Sequence, residues 1–134
     1  MNLKLNISTC PNDTFMFDAM LHGRIDTEGL TFDLNLADIE QLNQAVLEDG
    51  PDISKLSYAV VPQICDHYKV LNSGSALGRG NGPLLVSRHK IYPDELYDAQ
   101  IAIPGVHTTA NLLMSRIYPA AQNKRAYLFS DIAD

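Results

Sequence analysis

Three times in this chain a strand-like apolar stretch runs into a turn of small polar residues that opens a helix. The turns are Ser8-Thr9-Cys10-Pro11-Asn12-Asp13-Thr14, Ser54-Lys55-Leu56-Ser57-Tyr58 and Gly105-Val106-His107-Thr108-Thr109-Ala110. Strand and helix alternating in this way pair their strands in parallel, because each crossover helix returns the chain to the end of the sheet where the previous strand began. An α/β fold is therefore expected. Leu3, Leu5 and Ile7 mark the first strand and Leu30, Phe32, Leu34 and Leu36 the second. Between them a helix is expected over residues 14–22, stopped by Gly23. Asp38 with Gln41 has the spacing of a capping box, and Ile39, Leu42 and Val46 supply that helix with its apolar stripe.

Beyond residue 50 the pattern predicts a short strand at 53–56, a helix at 58–67 and a strand at 68–71. Residues 73–83 hold four of the eight glycines, so the chain must bend there, as a loop or as the hinge between two lobes. Strands at 84–87 and 100–103 follow, then a helix opened near Thr108 and Thr109 and ended by Pro119, then a strand at 125–129. Ser130-Asp131 reads as the cap of a last helix with only Ile132, Ala133 and Asp134 to form it. So short a helix makes no stable turn, and the chain is expected to be a fragment of a longer protein.

With 10 basic and 16 acidic side chains the net charge is −6, which argues against nucleic acid or an anionic membrane as partner, since both require a basic patch. Mean hydropathy is −0.09 without a long apolar run, so no spanning helix is expected. The alternating N-terminus does not have the continuous apolar core of a signal peptide, and a cytoplasmic location is expected. Cys10 and Cys65 are too few for a disulfide framework and read as reduced thiols. His22, His67 and His89 share no ligand spacing, and no metal is expected.

In open α/β sheets, ligands gather where strands end and helix N-termini present free N–H groups. The three turns therefore suit a small molecule bearing carboxylates or hydroxyls, although each also needs its small polar residues to cap a helix. Lys55 can hold a substrate anion or lie along the surface. Tyr58 suits a core aromatic better than a ligand contact. His107 suits a general base or a local role beside a helix cap. Cys10 is a weak nucleophile candidate without a histidine beside it. In the glycine-rich loop Gly80 and Gly82 precede Pro83-Leu84-Leu85, which matches neither a dinucleotide-binding nor a Walker A pattern.

The stretch Ser8-Thr9-Cys10-Pro11-Asn12-Asp13-Thr14-Phe15, the Ser54-Lys55-Leu56-Ser57-Tyr58 run, Gly74-Ser75-Ala76-Leu77-Gly78-Arg79-Gly80 and Pro104-Gly105-Val106-His107-Thr108-Thr109-Ala110 together resemble the 1,4-dihydroxy-6-naphthoate synthase family of the futalosine route to menaquinone. The resemblance implies a two-lobed fold like the type II periplasmic binding proteins, with residues 1–83 in the first lobe and 84–134 opening an incomplete second. It implies a carbon–carbon lyase that converts cyclic dehypoxanthinyl futalosine to 1,4-dihydroxy-6-naphthoate without metal or organic cofactor. On the family's pattern, Lys55, Leu56 and Ser57 form one substrate-binding segment, Thr109 and Ala110 a second, and Asn12 and Asp13 line the cleft. The family's proton-accepting histidine falls beyond Asp134, so no catalytic residue is assigned here and the 134-residue chain is expected to be inactive. Surface left bare by truncation would favour a homo-oligomer. Two alternatives share the fold: a non-catalytic cytoplasmic solute-binding module, and chorismate dehydratase of the same pathway.

Overall fold

The computed structural model describes residues 1–132. Strand β1 (Asn2–Ser8) is the centre of a three-stranded parallel sheet, with β2 (Thr31–Ala37) on one side and β3 (Ile53–Ser54) on the other. The β1–β2 register runs from Asn2 opposite Thr31 to Ser8 opposite Ala37, while Leu5 and Asn6 face Ile53 and Ser54. From Leu5 to Ser8 every residue of β1 is buried, as befits a central parallel strand covered on both faces.

Helix α1 (Pro11–Leu21) begins three residues earlier than expected, because a proline in the first turn loses no helical hydrogen bond. It ends one residue early, with His22 at the C-cap and Gly23 at φ +63°. Helix α2 (Ile39–Leu47) carries the expected capping box: Asp38 Oδ1 accepts from the Glu40 amide at 3.0 Å, and Gln41 Oε1 accepts from the Asp38 amide at 3.1 Å. Leu42, Asn43 and Val46 form its buried side. In place of a helix over 58–67, the chain makes turns and one short helix, α3 (Val61–Ile64). The amides of Val60, Val61 and Gln63 bond three residues back, and Pro62 has no amide hydrogen to give.

Past the glycine-rich stretch, β4 (Ile101–Ile103) and β5 (Lys124–Ala126) pair in parallel, joined by α4 (Thr109–Ile117). Leu96, Ile101, Ile103 and Ala121 are the core of this unit, with Met114 of α4 and Tyr118 packed on it. Val46, Val60 and Ile64 make a second cluster beside the first sheet, with Leu56 and Tyr68 against it. Among the described residues no helix is long and apolar enough to cross a membrane.

Three expected strands are corrected. Residues 68–71 form none: the Tyr68 hydroxyl donates to the Pro51 carbonyl at 2.8 Å, and Val70 and Leu71 stay exposed. Residues 84–87 form none either, and Leu84 and Val86 are largely exposed. Apolar residues here are not matched by a strand to pair with. The strand expected at 125–129 is shorter and starts earlier, because β4 offers only three residues; the Tyr127 amide makes the last bond, to the Ile103 carbonyl at 3.0 Å. Likewise β3 covers two of the four residues expected. At Ser130-Asp131 the expected cap is a 3₁₀ turn over Phe129–Asp131, where Ser130 Oγ donates to Asp131 Oδ1. Ala133 and Asp134, the rest of that expected helix, lie outside the described residues.

Fully buried Leu42 and half-exposed Leu36 separate core from rim. Leu42→Ala should cost about 2–5 kcal/mol of unfolding free energy by urea denaturation. Leu36→Ala should cost about 0.5 kcal/mol, and an equal loss at both positions would show that the β2 face is packed.

Candidate functional site

The carboxyl end of the first sheet is organised around one buried charge. Asp13, in the first turn of α1, folds back onto the end of β1, where its Oδ2 accepts from the Ser8 amide at 3.1 Å and the Ser8 hydroxyl at 2.5 Å. Its other oxygen pairs with Lys55 Nζ at 2.5 Å. The Asp13 side chain is fully buried, whereas that of Lys55 is 29% exposed. Burial pushes the carboxyl upward, but the Lys55 ammonium and the two Ser8 donors outweigh it and hold Asp13 below the ordinary carboxylate range. Lys55 follows β3 directly, and its amide bonds the Asn6 carbonyl at 2.8 Å, so the backbone ladder itself aims it at Asp13.

Two residues further, Ser57 is clamped by Asn43 of α2. Its amide donates to Asn43 Oδ1 at 2.8 Å, and Asn43 Nδ2 donates to its hydroxyl at 3.1 Å. Having accepted that bond, the Ser57 hydroxyl keeps its own proton for a ligand oxygen. Leu56 packs against the Val46, Val60 and Ile64 cluster and anchors the segment from the apolar side.

The third turn leads into α4. Buried Thr108 is the N-cap: its hydroxyl donates to the Gly105 carbonyl at 2.8 Å and accepts from the Asn111 amide at 3.3 Å. Thr109 and Ala110 are thus the first residues of a helix, half-buried, at the end where helical N–H groups carry partial positive charge. The imidazole of His107 faces Glu40 of α2, Nδ1 to Oε1 at 2.7 Å, and the His107 amide donates to Oε2 at 3.0 Å.

Asn12 lies exposed on the first turn of α1, and Tyr58 is exposed as well. Asp13 is enclosed, so it acts through Ser8 and Lys55. Lys55 is neither a free cation nor a surface lysine: one of its three N–H donors is committed to Asp13. Cys10 is the N-cap of α1, and its amide donates to Ser8 Oγ at 3.3 Å. Sequence reasoning placed Ser8 only as part of the first turn, and missed Glu40 and Asn43. Asn43 had a signal, a polar residue inside the inward stripe of Ile39, Leu42 and Val46. Glu40 had none, since an acidic residue in a first helical turn is ordinary.

The arrangement can hold the oxygens of a small molecule with hydroxyl, ammonium and helix N–H donors. Asp13, kept ionised, is unsuited to delivering a proton near neutral pH. A lowered folded-state value means Asp13 contributes stability above the ordinary carboxyl value, and that contribution is lost as pH falls through the lower, folded one. Asp13→Asn should therefore be less stable than the parent at pH 7 by about 1–3 kcal/mol. Denaturation across pH 2–7 should show the gap narrowing below about pH 4; a gap independent of pH would contradict the ionised pair.

A family model described as menaquinone biosynthesis matches residues 3–133. The chain is similar to a protein of Thermus thermophilus named 1,4-dihydroxy-6-naphtoate synthase, 46% identical over 113 residues, which are 84% of this chain and 40% of that protein. It is also similar to the protein of the same name in Streptomyces coelicolor, 40% identical over 111 residues, 83% of this chain and 38% of that one. The crystal structure of protein AF1704 from Archaeoglobus fulgidus superposes with a TM-score of 0.89 at 30% identity, covering 98% of this chain and 48% of that one. The chain thus spans about 40% of the length of the curated relatives it matches. With the family match running over nearly all of its residues, the chain belongs to the menaquinone biosynthesis family.

Proposed function

We propose that this chain is part of a 1,4-dihydroxy-6-naphthoate synthase, a cytoplasmic carbon–carbon lyase that converts cyclic dehypoxanthinyl futalosine to 1,4-dihydroxy-6-naphthoate. The observation that carries this reading is the pair of polar turns, one after β3 at Lys55 to Ser57 and one at the start of α4 before Thr109, each tied down by partly buried polar contacts, in a chain 46% identical to a protein of that name. In this reading the fold is that of a type II periplasmic binding protein, with 1–83 in one lobe, 84–134 in the other, and the substrate between them. The reaction uses neither metal nor organic cofactor, and its partner is a small-molecule substrate.

The residues present bind and orient. The Ser57 hydroxyl, the Thr109 hydroxyl, the remaining N–H donors of Lys55 and the N-terminal amides of α4 take up substrate oxygens, fixing the geometry that bond cleavage needs. Lobe closure would exclude water. The proton acceptor comes from the part of the longer protein that this chain does not include, so the 134-residue chain binds weakly and does not turn over.

Incubation with cyclic dehypoxanthinyl futalosine tests this, using this chain and, in parallel, a protein extended to the full length of the curated relatives. Mass spectrometry should find 1,4-dihydroxy-6-naphthoate with the extended protein alone. Product with neither would favour a non-catalytic binding module or chorismate dehydratase, and product with the short chain would place the base among its own residues. In the extended protein Thr109→Val should weaken substrate binding about tenfold, the scale of one lost hydrogen bond. Its unfolding midpoint should stay the same, because Thr108 supplies the helix cap. Unchanged affinity by calorimetry would remove Thr109 from the site.

A further inference from the structure

Helix α2 contributes none of the residues assigned to substrate, yet its first two turns touch both segments that are. Asn43 grips Ser57 on one side through its carbonyl oxygen and amide nitrogen. Glu40, three residues earlier and so on the same face of the helix, grips the turn that precedes Thr109. Glu40 Oε2 accepts from the His107 amide at 3.0 Å, and Oε1 meets the His107 ring Nδ1 at 2.7 Å with a longer contact, 3.4 Å, to the same amide. An ionised carboxylate only accepts, so the ring must present Nδ1–H to it. Two bonds to one residue fix the turn in rotation as well as in position. The side chains of Glu40 and His107 are only 15% and 30% exposed, which sets the contact apart from a solvated surface pair.

Two further observations point the same way. Gly105 stands at φ +149°, and a Cβ there would overlap the Glu40 carboxylate, so the turn approaches α2 as closely as a glycine permits. At the start of the same helix Asp38 Oδ2 accepts from the Phe129 amide, just past β5, at 3.3 Å. The first turn of α2 therefore ties the β4–β5 unit to the first sheet at two places, 67 and 91 residues away in sequence.

We propose that α2 is the positioning helix of the site, with Glu40 and Asn43 setting the spacing between the segment of Lys55, Leu56 and Ser57 and the segment of Thr109 and Ala110. The inference rests on reading those segments as substrate contacts, as in the proposed function. Glu40 acts through His107 and is a positioning residue. Its variants separate position from charge: Glu40→Gln can still accept from the His107 amide and donate to the other ring tautomer, Glu40→Asp is one methylene too short, and Glu40→Ala makes neither bond. Asn43→Ala would leave buried groups unpaired and endanger the fold, so Glu40 carries the test.

Hydrogen exchange and kinetics on the full-length protein decide it. In Glu40→Ala and Glu40→Asp the amides of residues 105–111 should exchange about tenfold faster, the scale of one lost charged hydrogen bond, with Glu40→Gln close to the parent. For cyclic dehypoxanthinyl futalosine, KM should rise about tenfold in Glu40→Ala and Glu40→Asp while kcat changes far less, and Glu40→Gln should restore it. Gly105→Ala should reproduce the Glu40→Ala pattern. Unchanged exchange in Glu40→Ala overturns the positioning role, as does faster exchange with an unchanged KM. If the parent protein does not turn over this substrate, the proposed function fails on its own, while exchange at 105–111 still decides whether Glu40 holds the turn.

Discussion

A carboxylate without solvent cannot be left unpaired, and the fully buried Asp13 is the point from which the site is built. Meeting its demand fixes three pieces of chain at once: the end of β1 through Ser8, the start of α1 through Asp13 itself, and the residue after β3 through Lys55. A buried ion pair is weak support for stability as such, because desolvation offsets much of the attraction. What it supplies here is a unique geometry. Once Lys55 is held, Ser57 two residues on comes within reach of Asn43, and Asn43 shares its helix face with Glu40, which holds the turn before α4.

This chain of contacts explains how an acidic protein, with net charge −6, can present a site for oxygen-bearing ligands. In the proposed reading, recognition would rest on hydroxyl and helix N–H donors whose own positions are fixed from behind, with the lysine charge largely answered inside the protein. Preorganised donors lose little freedom when a ligand arrives, and each hydrogen bond then contributes more of its strength to binding. The same design serves solute binding and catalysis equally well on a shared fold.

Much of the fold was legible because its signals are local. The alternation Leu3, Leu5, Ile7 and the Asp38 to Gln41 spacing specify a strand and a helix start without reference to anything distant, and both are found. Residues 68–71 and 84–87 misled because apolar content shows a preference for burial without providing a neighbouring strand. The polar turns were legible as a group, and Lys55 and Ser57 do sit where buried contacts converge. Their partners were not. Asp13 meets Lys55 across 42 residues and Glu40 meets His107 across 67, and no rule of spacing reports a contact made by tertiary folding.

The site stands on the commitment of Asp13 and Lys55 to each other. A double-mutant cycle measures this directly, with Asp13→Asn, Lys55→Met and the double variant unfolded in urea at pH 7. A coupling of about 1 kcal/mol or more is expected for so shielded a pair. Additivity within about 0.3–0.5 kcal/mol would mean that the two groups act independently, and would contradict a site built outward from the buried carboxylate.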